Sequence, residues 1–101
     1  MDVTVNAICE DIWSQARGLM FSKKKTLVFD FGREKKTPLH NWFVFFDLYV
    51  YYLDEDQTVV ESGFMKPFGW YNPKKDARYI IESPIDLGAS VGTRLQIRKT
   101  L

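Results

Sequence analysis

One apolar segment, His40 to Leu53, constrains the fold more than any other part of the chain. Read with a period of two, it carries apolar side chains on both sides of an extended backbone. One side holds Trp42, Val44, Phe46, Leu48, Val50 and Tyr52, and the other holds Phe43, Phe45, Tyr49, Tyr51 and Leu53. A strand of this kind is stable only when both of its faces are covered. The segment therefore predicts an inner strand of a sheet that is buried on both faces.

The same segment is long for one strand, whose usual length is about 5–6 residues. Asp47 is the only charged residue inside it. A β-bulge inserts an extra residue and bends the strand, which relieves such a length. We therefore expect a bulge or bend near Asp47.

Shorter alternating patterns predict five further strands, at residues 3–9, 26–31, 58–67, 78–82 and 94–98. Asp11 can cap a short helix over residues 12–17, and Gly18 can end it. The polar residues 32–38 predict a loop, and residues 54–57 predict a tight hairpin. Gly63 is expected to bend its strand. This pattern predicts a mainly β fold, a small antiparallel β-sandwich or flattened barrel with one short helix.

The composition is that of one globular domain covering residues 1–101. Apolar residues make up 46% of the chain, enough for a core, and a net charge of +1 gives no field that attracts nucleic acid or acidic membranes. The single cysteine, Cys9, excludes an internal disulfide and fits a reducing compartment. The N-terminus does not resemble a signal peptide, and no apolar run is long enough for a membrane-spanning helix. We expect a soluble, cytoplasmic protein.

Three blocks of the chain resemble uncharacterised protein family 0127, also called domain of unknown function 192. Residues 16–21, Ala-Arg-Gly-Leu-Met-Phe, are similar to the Arg-x-Gly-Leu-Met signature of that family. Residues 40–54 are similar to its pattern of a histidine, several aromatics, Pro-Ile-Asp-Val and a closing Leu-Asp. Residues 65–95 contain counterparts of its Lys-Pro turn, its Val-Leu-Glu-Leu-Pro strand and its closing Val-Gly-Asp.

The resemblance implies a compact, mainly β fold of jelly-roll-like type, and it brings no established activity. Two positions depart from the family pattern: Asp47 stands where a proline is usual, and Tyr49 stands where an aspartate is usual. A proline cannot donate a ladder hydrogen bond, so its usual place at position 47 agrees with the expected bulge. Any role of a carboxylate at position 49 does not carry over to this chain.

Three polar residues are candidates for chemistry. His40, the only histidine, is interpreted as a hydrogen-bonded structural residue, with an acid–base role as the alternative. Asp47 requires a partner such as Arg17 or Arg78, a capping role at the bulge or an exposed position, because an unpaired buried carboxylate is costly; a catalytic role is again the alternative. In an unbroken strand Asp47 would lie about 23 Å from His40, so the two can pair only if the chain bends sharply. Arg17 either ends the helix or lies at the mouth of a pocket, where it can bind a carboxylate or phosphate.

The aromatic loop at residues 68–71, Phe-Gly-Trp-Tyr, is the strongest indication of binding. Trp70 and Tyr71, with lysines nearby, can stack on a sugar ring or a nucleobase. The structural alternative is that both side chains fold back and close one end of the barrel.

No cofactor or metal is expected. One histidine and one cysteine are too few for a typical zinc site, Asp54 and Asp56 lack the glycine and glutamate of a calcium loop, and no phosphate-binding glycine loop occurs. Cys9 is interpreted as a buried apolar residue rather than a nucleophile.

We therefore expect a non-catalytic module for an unknown small molecule or protein partner, with its pocket where Arg17, His40 and the aromatic loop converge. One alternative is an enzyme that acts on a small polar or sugar-like substrate through His40, Asp47 and Arg17. The other is single-stranded nucleic-acid binding, against which the near-zero charge counts. The oligomeric state does not follow from the sequence.

Overall fold

The computed structural model of the chain describes residues 1–5, 7–9, 26–40 and 46–99. These residues form nine strands: β1 (Asp2–Val5), β2 (Ala7–Cys9), β3 (Leu27–Lys35), β4 (Leu39–His40), β5 (Leu48–Leu53), β6 (Val59–Met65), β7 (Trp70–Tyr71), β8 (Ala77–Ser83) and β9 (Gln96–Lys99). The predicted mainly β architecture is confirmed, whereas the predicted helix at residues 12–17 lies outside the described residues. Within the described ranges no helix is long and apolar enough to cross a membrane.

The largest sheet has five strands in the order β2-β3-β8-β5-β6. β5 pairs antiparallel with β8 on one side and with β6 on the other, so that Tyr51 lies opposite both Ile81 and Ser62. All side chains of β5 are buried except the half-buried Tyr49. The predicted inner strand is therefore confirmed for residues 48–53, whereas His40, its predicted start, lies in β4 of another sheet. It begins only at Leu48, after a bend at Phe46, close to the bend expected near Asp47.

The apolar side chains form two clusters, because successive residues of a strand point to opposite faces of the sheet. One cluster contains Leu27, Phe29, Leu39, Leu48, Val50, Tyr52, Met65, Ala77 and Ile80. The other contains Val3, Val5, Val28, Tyr51, Leu53, Val59, Ile81, Ala89 and Leu95. The antiparallel pair β4–β7 packs on the first cluster, and the parallel pair β1–β9 packs on the second. The five-stranded sheet is thus covered on both faces.

The segment before β9 also bonds to the start of β6. Val59 N donates to Thr93 O at 2.9 Å, Gly92 N donates to Val59 O at 2.8 Å, and Leu95 N donates to Gln57 O at 2.8 Å. An isolated bridge between Thr58 and Arg94 lies in the same place. These bonds connect β9, and through it β1, to the edge of the five-stranded sheet.

The strand predicted at residues 3–9 is wrong as a single element. It is divided into β1, which pairs with β9, and β2, which pairs with β3. Both pairings are parallel, so the prediction of purely antiparallel sheets is wrong as well. The division lets β1 cover one face of the core while β2 extends the edge of the main sheet.

The loop predicted at residues 32–38 is wrong for residues 32–35, because β3 continues to Lys35, and is confirmed for residues 36–38. Gly32 adopts a φ of 76°, and its N–H donates to Asp30 Oδ1 at 2.8 Å. The register between β3 and β8 shifts between Asp30 and Lys35, which identifies a bulge. After the bulge, the polar residues at the end of β3 are exposed, and Pro38 lies beyond the end of this strand.

The hairpin predicted at residues 54–57 is confirmed. Asp54 Oδ1 accepts hydrogen bonds from Asp56 N at 2.9 Å and Thr58 N at 3.0 Å, and Gln57 takes the left-handed φ of 63°. Gly63, expected to bend its strand, lies inside β6, where a Cβ would overlap the ring of Tyr71. Close packing against that ring requires glycine at this position.

Candidate functional site

An open cleft lies beside β5 and β6, where the loop that follows β8 passes over the sheet. Its volume is about 360 Å³, and its lining residues are Tyr49, Tyr51, Ser62, Gly63, Phe64, Asp86, Gly88, Ala89 and Ser90. We call it the aromatic cleft. The small residues at positions 62–63 and 88–90 leave the space that the aromatic rings border.

The aromatic side of the cleft follows directly from strand pairing. Tyr49 of β5 lies opposite Phe64 of β6, and directly paired residues place their side chains on the same face of a sheet. The two rings meet edge to face, with centroids 5.2 Å apart and planes at 66°. Phe64 is 42% exposed although it is a large apolar residue. An exposed ring supported by a second ring provides a surface for a ligand.

The polar side of the cleft is organised around Tyr51. Its hydroxyl donates to Asp86 Oδ1 at 3.0 Å and accepts from Leu87 N at 2.8 Å. Asp86 Oδ1 also accepts from Gly88 N at 2.8 Å, and Gly88 takes a φ of 72°. Burial raises the pKa of Tyr51, and the neighbouring Asp86 raises it further, so the hydroxyl stays protonated and remains a donor. The loop is therefore fixed to the sheet through one buried hydroxyl.

The electrostatic character of the cleft is acidic. Within the part of the lining that the structure describes, Asp86 is the one charged residue, and neither lysine nor arginine is present. The carboxylate is exposed. Such a site favours a cationic or neutral ligand over an anion.

The structure brings two of the predicted site residues together at a different place. β4 pairs antiparallel with β7 so that His40 lies opposite Trp70, and Leu39 lies opposite Tyr71. Trp70 is 61% exposed. The backbone register therefore joins His40 to the aromatic loop, as the predicted convergence requires. Arg17, the third member of that site, lies outside the described residues.

Tyr71 folds back onto the sheet, as the structural alternative for the aromatic loop predicted. Its ring lies over Gly63 and 5.5 Å from the ring of Tyr52, and its hydroxyl donates to Glu61 Oε2. Burial and the contact with Glu61 raise the pKa of Tyr71 to about 12. Glu61 Oε1 accepts from the backbone N–H groups of Lys74 and Lys75, at 2.9 and 3.1 Å.

Burial alone would raise the pKa of the Glu61 carboxyl, but these hydrogen bonds lower it below its usual value. The Glu61 carboxylate is thus fully used in fixing the loop, and Tyr71 is a packing residue. Of the two aromatic residues predicted to bind a ligand, only Trp70 is largely exposed.

Asp47 is exposed in the segment that leads into β5, which was one of its expected positions. Cys9 lies in β2, so its predicted position in a strand is confirmed. The predicted burial of its side chain lies outside what the structure describes. Within the described ranges, no three potential metal ligands cluster together.

Sequence reasoning missed one buried carboxyl, Glu82. It lies in β8 between Leu27 of β3 and Val50 of β5, and it is 6% exposed. Burial raises the pKa of this carboxyl to about 7. The signal was present in the sequence, because Glu82 continues the same side of its strand as the buried Ile80.

The cleft residues Tyr49, Tyr51, Phe64 and Asp86 were not predicted as a site either. The two tyrosines belong to the apolar central segment and were assigned to the core. Asp86 follows a proline and precedes a glycine-containing connection, which is typical of any turn. Only the pairing of β5 with β6 and the return of the loop bring these residues together.

Comparisons with known proteins agree with the fold. Residues 2–97 match the model of the DUF192 family, described as "Uncharacterized ACR". A UPF0127 protein of Pyrococcus horikoshii is 37% identical over 87 residues, which cover 83% of this chain and 76% of that protein. A UPF0127 protein of Thermococcus kodakarensis is 39% identical over 75 residues, covering 70% of this chain and 48% of the relative.

Two crystal structures are similar in fold at low sequence identity. A protein of Sinorhizobium meliloti 1021, described as a candidate transcription regulator, superposes with a TM-score of 0.74 at 19% identity, over 86% of this chain and 76% of that one. A protein of unknown function from Novosphingobium aromaticivorans superposes with a TM-score of 0.71 at 15% identity, over 85% and 70% of the two chains. Both likenesses concern the fold alone.

Proposed function

This chain belongs to the DUF192 family, also named UPF0127, and from that premise we propose that it is a non-catalytic module that binds a small ligand in the aromatic cleft. The observation that carries the proposal is the convergence of an exposed aromatic pair, Tyr49 and Phe64, with the hydrogen-bonded carboxylate of Asp86. Because the function of this family is uncharacterised, membership in it supports the fold that surrounds this site and does not identify a ligand.

The dimensions and lining of the cleft support ligand binding. Small-molecule sites are typically clefts of about 300–1,000 Å³ with apolar walls and a few placed polar groups. The aromatic cleft has about 360 Å³, and its polar groups are held by hydrogen bonds within the protein. A pre-organised site loses little conformational entropy when a ligand binds.

The chemistry of the lining supports binding without catalysis. A nucleophilic mechanism requires a nucleophile within hydrogen-bond reach of a base. The Tyr51 hydroxyl does lie within reach of the Asp86 carboxylate, but burial and that carboxylate raise the pKa of Tyr51, so the hydroxyl stays protonated and serves to fix the loop. Of the predicted enzymatic set, Asp47 is not among the described lining residues, and Arg17 lies outside the residues that the structure describes.

Nucleic-acid binding receives little support from the cleft. Phosphate contacts are made mainly by lysine and arginine, and the only charged residue that the structure describes in the lining is a carboxylate. The name of the Sinorhizobium meliloti protein, a candidate transcription regulator, is therefore not extended to this chain. A cytoplasmic location, in keeping with the single cysteine, remains part of the proposal.

We further infer that the fold is a flattened barrel. The support is the hydrogen-bonded path from β6 through residues 92–95 to β9, then to β1, and from β2 back to β3. The cluster that contains Tyr51 and Leu95 fills its interior. The aromatic cleft opens where β6 and the loop at residues 86–90 separate.

A thermal-shift screen with two variants tests the proposed site. Wild-type protein, Phe64→Ala and Trp70→Ala are compared against neutral, anionic and cationic small molecules. Both variants remove an exposed aromatic ring, and only the first lies in the cleft. A ligand at 100 times its dissociation constant stabilises the native state by about 2.7 kcal/mol.

We expect this stabilisation to survive Trp70→Ala and to be lost in Phe64→Ala. The reverse pattern would place the site at the pairing of His40 with the aromatic loop and would contradict the proposal.

A further inference from the structure

We infer that the aromatic cleft recognises an organic cation, an ammonium group carrying methyl or alkyl substituents. The inference rests on the proposed function and specifies its ligand class. Three features of the cleft point to it: aromatic rings, one oriented carboxylate, and described lining residues that include neither lysine nor arginine.

The aromatic rings supply the first feature. The face of an aromatic ring is electronegative and attracts a cation that lies within about 6 Å of its centre. Tyr49 stands edge to face against Phe64, so the two rings form a corner rather than a flat stack. A compact, roughly spherical ammonium group fits such a corner better than a planar base does. Phe64, 42% exposed, presents its ring to that group.

The orientation of the Asp86 carboxylate supplies the second feature. Two donors, the Tyr51 hydroxyl and Gly88 N, bind the same oxygen, Oδ1. Among the hydrogen bonds of the described residues, none is made to Oδ2. A carboxylate with one anchored and one unbonded oxygen is a fixed acceptor, and the negative charge makes it a counter-ion for a cation. Because the Tyr51 hydroxyl remains protonated, this arrangement persists across the neutral pH range.

The charge balance supplies the third feature. Among the described lining residues, Asp86 is the only charged one, and neither lysine nor arginine accompanies it. An anionic ligand would therefore be repelled by this carboxylate, whereas a cationic ligand would be attracted to it. The hydroxyls of Ser62 and Ser90 can form additional hydrogen bonds with polar substituents of the ligand, such as a hydroxyl group.

Titrations with an isosteric pair test the inference. Choline and 3,3-dimethyl-1-butanol have the same shape and hydroxyl, and only choline carries a charge. Binding of each is followed by NMR chemical-shift changes in wild-type protein, in Asp86→Asn and in the control Asp76→Asn. The control removes one exposed carboxylate outside the cleft and changes the net charge equally.

We expect the neutral isostere to bind about tenfold more weakly than choline, the magnitude of a partly desolvated cation–π and charge contact. Asp86→Asn should weaken the binding of choline by a similar factor, and Asp76→Asn should leave the binding of choline unchanged. Raising the sodium chloride concentration should weaken the binding of choline and leave the binding of the neutral isostere unchanged. A peptide carrying trimethyllysine that binds more tightly than free choline would identify a protein side chain as the source of the cation, and weaker binding would identify a free small molecule.

Equal binding of choline and its isostere, together with no effect of Asp86→Asn, would overturn the cation inference and leave the proposed binding function standing. Failure of cationic, neutral and anionic compounds alike to perturb the cleft would overturn both.

Discussion

At the scale of single residues, the Tyr51 hydroxyl holds the cleft together. Tyr51→Phe removes both of its hydrogen bonds, the one donated to Asp86 and the one accepted from Leu87 N. One intramolecular hydrogen bond contributes about 0.5–1.5 kcal/mol net, so the loss of both bonds costs about 1–3 kcal/mol. We expect a loss of stability in that range, measured by urea unfolding, and weaker binding in the cleft. Tyr79→Phe is the control, since Tyr79 is half-buried and its hydroxyl makes none of these bonds. A Tyr51→Phe variant as stable as the control would show that the loop does not depend on this hydroxyl.

The second residue-scale prediction concerns Glu82. Its folded-state pKa of about 7 exceeds the usual 4.5, so between these pH values the folded chain holds a proton that the unfolded chain has lost. Stability therefore falls as the pH rises through this window, by about 3 kcal/mol in total. We expect unfolding measurements from pH 4.5 to 8 to show this fall in wild-type protein and not in Glu82→Gln. Parallel profiles for the two proteins would contradict the buried, charge-disfavouring environment of Glu82.

At this scale the sequence predicted burial better than function. It predicted the packing role of Tyr71 as one of two alternatives, since an aromatic loop can either face solvent or close a core. It missed Asp86, because an aspartate in a Pro-Ile-Asp-Leu-Gly stretch has the composition of a common turn. The hydrogen bond that makes Asp86 a cleft residue comes from Tyr51, 35 positions away in the chain. No local pattern contains such a partner.

At the scale of elements, β6 and β7 are fixed to each other by Gly63 and Tyr71. A Cβ at Gly63 would overlap the Tyr71 ring, and the Tyr71 hydroxyl donates a hydrogen bond to Glu61. We expect Gly63→Ala to destabilise the fold by about 1–3 kcal/mol, the usual cost of overpacking.

A double-mutant cycle with Tyr71→Ala tests the cause of that loss. Once the ring is absent, Gly63→Ala should cost much less, because the overlap no longer exists. Additive losses in the double variant would show that the glycine is required for another reason, such as the bend that the sequence predicted.

The sequence predicted the elements well where one periodicity persisted and less well where tertiary pairing decided. The inner strand β5 and the hairpin at Asp54 follow from apolar alternation and turn chemistry. The extension of β3 through Gly32 depends on a bulge that pairs polar residues with β8, and polar residues by themselves indicate a loop. The division between β1 and β2 depends on two different partner strands, which a single alternating pattern cannot show.

At the scale of the whole molecule, the contact between the segment before β9 and the start of β6 decides whether the sheets close into a barrel. The amides of Val59 and Leu95 donate across this seam at 2.9 and 2.8 Å. We expect native-state hydrogen exchange at both amides to be as slow as in β5, because only global unfolding opens a closed ladder. The Gly69 amide, which closes an exposed turn to Lys66 O, should exchange faster. Rapid exchange at Val59 and Leu95 would show an open sheet.

The central claim is that a ligand binds in the aromatic cleft. Mapping amide chemical shifts by NMR, with the best compound of the thermal-shift screen added stepwise, tests it most directly. We expect saturable shifts at residues 49–51, 62–64 and 86–90, with residues 39–40 and 68–71 unchanged. Shifts confined to the pairing of His40 with Trp70 would contradict it.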